Sequence, residues 1–127
     1  MATREVSEFV SYLSEVFARF GPIEAKRMFG GYGIYHHGLM FALVGRDVLY
    51  LKSDAASAPE FERLGSSAFE YHKDGKVLKM GYHAAPAHLF EDVDEAKRWA
   101  ERAYQIALRA RAEKERRPRR PSAAKRR

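Results

Sequence analysis

Leu39-Met40-Phe41-Ala42-Leu43-Val44-Gly45-Arg46-Asp47-Val48-Leu49-Tyr50-Leu51-Lys52 is the stretch on which the fold turns. Two runs of strand-forming side chains flank Gly45-Arg46-Asp47, the pattern of antiparallel neighbours joined by a tight turn. Upstream, residues 26–29 and 32–35 read as one strand kinked at Gly30-Gly31, and His37-Gly38 turns that strand into 39–44. Together these segments predict a three-stranded antiparallel meander. Downstream, residues 69–73 and 76–83 flank Asp74-Gly75, the strongest short-range hairpin signal in the chain.

Helical spacing brackets the strands. Val6, Phe9, Val10, Leu13, Val16, Phe17 and Phe20 recur at intervals of three and four before Gly21-Pro22 stops the pattern. Residues 55–64, with Pro59 admissible in a first turn and Gly65 behind, predict a short helix. Ala96, Trp99, Ala100, Ala103, Ile106 and Ala107 form a second long stripe, capped at its start by Asp92 or Asp94. The predicted order is α-β-β-β-α-β-β-α. That is an α+β domain, a two-layer sandwich with a five-stranded antiparallel sheet and helices on one face. Trp99 should share a core with Phe9, Leu13 and Phe17.

The 127 residues suit one domain, and 46% apolar content supplies a core without disulfides. With no cysteine there is no disulfide scaffold, cysteine nucleophile or thiolate metal site, and a reducing, cytoplasmic setting is expected. The longest apolar run, 39–44, is far short of a membrane span, and acidic Glu5 and Glu8 do not suit a signal peptide. The net charge of +6 conceals an asymmetry: residues 109–127 carry ten basic and two acidic side chains, whereas the body is slightly acidic. We expect a domain over 1–110 and a basic tail over 111–127, helical at first and disordered after Pro118 and Pro121. Arg116, Arg117, Arg119, Arg120, Lys125, Arg126 and Arg127 are the candidate nucleic-acid contacts, binding phosphates by counterion release without reading sequence. A solubilising extension explains the same residues.

Other candidate sites have plain structural explanations. Gly30-Gly31-Tyr32-Gly33 lacks the third glycine, the Gly-Lys and the following helix that a phosphate loop requires, so it reads as a glycine bulge or bend. The aromatic RNA-binding strand motif is not completed after Gly31-Tyr32-Gly33, which leaves the tyrosines packing a half-buried sheet. His36 and His37 should point to opposite faces of a strand. His72 with His83 across the hairpin would be a poor two-ligand site, so the five histidines read as surface or turn residues, with no metal or other cofactor. Glu91, Asp92, Asp94 and Glu95 read as helix-start carboxylates and not as a catalytic cluster. No serine stands in a nucleophile motif, and we expect no enzyme activity.

The run Arg27-Met28-Phe29-Gly30-Gly31-Tyr32-Gly33-Ile34-Tyr35 is joined by Gly38 to Val44, Asp47 to Lys52, Phe69-Glu70-Tyr71, Gly75-Lys76, Met80-Gly81-Tyr82, Pro86 and Trp99-Ala100. Across roughly residues 5–110 this resembles the N-terminal domain of the TfoX/Sxy competence regulators. The resemblance implies a two-layer fold with helices on one face of an antiparallel sheet, a role in competence and transcription regulation, and no catalytic residue set. Better-known regulators carry a second, helical domain where this chain has its tail. The expected function is that of a non-enzymatic regulatory or adaptor protein binding an unidentified protein partner, with nucleic-acid binding through the tail or an uncharacterised enzyme as alternatives. Because 39–44 is apolar at every position, a strand there would present Leu39, Phe41 and Leu43 on one face and Met40, Ala42 and Val44 on the other. Helices cover one face only, so we expect a homodimer through Met40, Ala42 and Val44.

Overall fold

A computed structural model describes residues 7–28 and 30–116. The first helix, α1 (Glu8–Val16), starts where the Ser7 hydroxyl accepts the Val10 N–H at 3.2 Å, and buries Val10, Leu13 and Val16. Four strands follow as consecutive hairpins: β1 (Glu24–Met28), β2 (Gly31–His36), β3 (Leu39–Gly45) and β4 (Val48–Lys52). The short helix α2 (Ala58–Arg63) leads to the hairpin β5 (Ala68–Lys73) and β6 (Lys76–Ala84). A 3-10 turn (Ala87–Glu91) then introduces α3 (Val93–Arg116), where the Asp92 carboxylate accepts the Asp94 and Glu95 N–H groups at 2.9 and 3.3 Å. Among the described residues no helix is long and apolar enough to cross a membrane.

The sheet is antiparallel with order β1-β2-β3-β4-β6-β5, six strands where five were expected. The expected kink at Gly30-Gly31 is a complete hairpin turn, so the meander has four strands. Gly30 takes φ 78, and Met28 pairs with Gly31. Residue 31 has to be glycine, because a Cβ there would lie 2.0 Å from the Val44 carbonyl oxygen. The other reversals form as read: His37 and Gly38, Arg46 and Asp47, and Asp74 and Gly75 all have positive φ, the geometry that matches strand twist in two-residue hairpins.

All the helices lie on one side of the sheet, giving two layers. Their core joins Leu13 and Phe17 to Ile34, Phe41, Ala42, Val44, Leu49 and Leu51, and then to Phe61, Leu89 and Trp99. Phe9 is half-buried against this cluster. All six apolar positions expected on the last helix are buried.

Strand β3 departs from simple alternation. Ile34 pairs with Ala42 and Tyr35 with Met40, leaving Phe41 in a bulge. Phe41, Ala42 and Val44 therefore belong to the helix-covered core, while Leu43 and Met40 face the other side. The expected grouping of Met40, Ala42 and Val44 on one outer face is corrected: only Met40 is there.

Candidate functional site

The uncovered face of the sheet is apolar. Register places Gly33, Leu43 and Tyr50 side by side across β2, β3 and β4, and Lys52 beside Tyr82 on β6. Phe69 of β5 reaches over Tyr50, with ring centroids 4.9 Å apart at 65°. Its ring edge also lies 3.6 Å from where a Cβ on Gly45 would stand, so the β5 edge curls over the sheet. The result is a groove of about 730 Å³ lined by Met28, Met40, Leu43, Tyr50, Phe69 and Tyr82. At its mouth stand Arg46, Val48, Glu70 and His72.

Gly33 shapes the floor. A Cβ there would meet the sulfurs of Met40 and Met28 at 2.6 and 2.8 Å and the Tyr35 ring at 3.0 Å, so these side chains lie flat over the glycine. The Lys26 ammonium sits 4.8 Å from the Tyr35 ring centroid, and the Lys52 ammonium 5.0 Å from that of Tyr82. Burial, with a smaller effect of Tyr35, pushes the Tyr82 phenol up to about 12. Methionine thioethers and aromatic rings on one concave face can adapt to an apolar partner, and no array of convergent acids and bases accompanies them there.

Both buried histidines of the helix-covered layer have hydrogen-bond partners, whereas Arg102 Nη2 is buried without one among the described residues. The Ser53 hydroxyl and His83 Nδ1 are 2.7 Å apart, both residues buried, and His83 stacks on Phe61 at 4.9 Å and 14°. His36 Nδ1 donates to the Pro22 carbonyl at 2.7 Å and the ring packs on Phe20. His36 and His83 are thus core residues, not surface ones. The rings of His36 and His37 stack at 3.9 Å, because His37 leaves the strand with φ 49 and does not alternate. His72 pairs with Val77 and His83 with Ala68, so the imagined His72–His83 pair does not form. Among the described residues no three histidines or carboxylates converge as a metal site.

Arg102 locks α2 to α3. It lies over Trp99 and Phe61, at 4.7 and 5.5 Å, and bonds Glu60 at 2.5 Å. That bond holds the Glu60 carboxyl below its ordinary value. Burial raises the pKa of Asp54, but hydrogen bonds from Ser57 and the Arg109 guanidinium outweigh it and leave a net lowering. Of the acidic cluster Asp92 caps the helix as read, whereas Asp94 pairs with Arg19 and Glu95 accepts from the side chains of Arg98 and Trp99. Of the expected nucleic-acid contacts, Arg116 ends α3 and is exposed. Arg117, Arg119, Arg120, Lys125, Arg126 and Arg127 lie outside the described residues.

The profile of the TfoX N-terminal domain matches residues 15–107, most of the folded body. This chain belongs to the TfoX N-terminal domain family. It is also similar to DNA transformation protein TfoX1 of Aliivibrio fischeri (strain ATCC 700601 / ES114), at 31% identity over 98 residues. That match covers 68% of this chain and 47% of the relative, so this chain spans about half of that protein's length. Within the TfoX-type domain, the conspicuous Gly30-Gly31-Tyr32-Gly33 run has a structural use: a turn, a close strand approach and the floor of the groove. The groove residues Leu43, Phe69 and Tyr82 are not marked as a site by the sequence. Their signal was present in the apolar positions left over after the core face of each strand had been filled.

Proposed function

We propose that this chain is a cytoplasmic regulatory protein of the competence type that acts by binding another protein through the open face of its sheet, with no chemistry of its own. One observation supports the proposal: on the face away from the helices a groove is lined by the half-buried Met28, Met40, Tyr50 and Phe69 and the exposed Val48, over the buried Leu43 and Tyr82. An uncovered apolar face costs solubility and is ordinarily kept for an interface. The family and the relative's name supply the process, DNA transformation and its regulation. The test is a chromosomal Met40→Glu substitution in the source bacterium, with transformation frequency and dependent transcripts as readouts. The variant should fold and should lose the output as fully as deletion does. Wild-type output from a folded Met40→Glu protein would refute the reading.

A second reading has its own observation. Residues 109–116 are exposed throughout and carry Arg111, Lys114 and Arg116, besides Glu113, Glu115 and the Arg109 that pairs with Asp54. This helix end and the basic residues after it suit a sequence-independent grip on nucleic-acid phosphates.

A further inference from the structure

We infer that the occupant of the open-face groove is a second copy of this chain, and that Arg46 and Glu70 set the register of the pair. This rests on reading the open face as the binding surface, and it names the partner.

The argument begins from what charge the groove contains. Its described lining is otherwise methionine, leucine, valine, alanine, aromatic and imidazole rings and glycine; it carries one guanidinium, Arg46, and one carboxylate, Glu70, with the Lys52 ammonium over the Tyr82 ring beside it. Both residues are exposed. They come from separate elements: Arg46 from the turn between β3 and β4, Glu70 from edge strand β5. Among the described ion pairs Arg46 has no partner and Glu70 has the exposed His72 at 3.9 Å, while register sets Lys79 of β6 opposite Glu70.

An apolar surface that displays one cation and one anion on different elements is complementary to itself. In an isologous interface, if residue i meets j of the other copy, then j meets i. A two-fold axis lying in the contact midway between Arg46 and Glu70 would bring each Arg46 against the Glu70 of the other subunit, forming two equivalent ion pairs at one apolar contact. An unrelated partner would have to supply an anion and a cation at matching places, whereas a second copy supplies both. Gly30 leaves room for close approach at the groove, since nothing lies within 4 Å of where a Cβ there would stand. Met28 and Met40 can reshape to whatever relief the facing copy presents.

The test uses the full chain and four proteins: wild type, Arg46→Glu, Glu70→Arg, and the double swap. Mass is read by light scattering and sedimentation across micromolar concentrations, and circular dichroism checks folding. Wild type should be a dimer. Each single reversal puts like charges together twice per dimer and should raise the dissociation constant at least about tenfold. The double swap should restore it, since the pairs are rebuilt with reversed polarity. A wild-type protein that stays monomeric on concentration overturns the inference. So do single reversals that leave the dimer unchanged, because the interface then lies elsewhere. A monomer whose Met40→Glu variant still loses regulatory output would keep the open face as the binding surface and remove only the second copy as its occupant.

Discussion

At the scale of single residues, two glycines two positions apart should respond differently to the same methyl group. At Gly31 the added Cβ meets backbone, the Val44 carbonyl oxygen, which cannot move without parting β2 from β3. Gly31→Ala should cost about 3 kcal/mol, whereas at Gly33 the obstacles are the flexible ends of Met40 and Met28, and Gly33→Ala should cost about 1 kcal/mol. Urea midpoints compare the two, and equal losses would show that the floor of the groove is as rigid as the strand pairing. Tyr82 offers a second check. Its phenol is raised from 10.0 to about 12, so the fold favours the neutral form. That contribution is complete below pH 10 and is lost as pH rises through about 12. Phenolate absorbance during alkaline titration should show a last step that Tyr82→Phe removes.

At the scale of elements, α2 is held by the Phe61 ring against His83 and Trp99 and by the Glu60–Arg102 bond. Trp99→Ala takes away the surface on which α2 and the 3-10 turn pack, and should cost about 3–5 kcal/mol. An unchanged melting temperature would contradict this packing. The carboxyls of Asp54 and Glu60 are both held low in the fold, so their contribution is present above the ordinary carboxylate range and is lost as pH falls through the lowered values. Both are partly exposed and screened, so the double variant Asp54→Asn, Glu60→Gln should flatten the acid limb of a melting curve only modestly. The helices and three hairpin turns were legible because 3.6-residue spacing and residues suited to positive φ are local signals. What escaped was relational. Gly30-Gly31 reads equally as a kink or a turn until Met28 is seen opposite Gly31. The faces of β3 could not be assigned because the bulge at Phe41 depends on pairing with β2. The groove escaped for the same reason, since its walls come from β1, β3, β4, β5 and β6, and only the curl of β5 brings Phe69 over Tyr50.

At the scale of the whole molecule, the chain has a helix-covered face with a closed core, a second face with a half-buried apolar groove, and a basic helix end on an otherwise slightly acidic body. If nucleic acid is bound, a chain ending near Arg109 should lose both affinity and the steep fall of binding with salt, because the cations that would release counterions are gone. A truncated body that shifts DNA with the same salt slope would move attention to the tyrosines of the sheet. The account's central claim is that binding takes place on the grooved face, whatever the partner, and photo-crosslinking in the living host tests it most directly. Benzoylphenylalanine replaces Tyr50 in the groove or, as a control, exposed Gln105 on α3. The account predicts a discrete adduct from position 50 and none from position 105, whereas an adduct at position 105 with none at position 50 would contradict it.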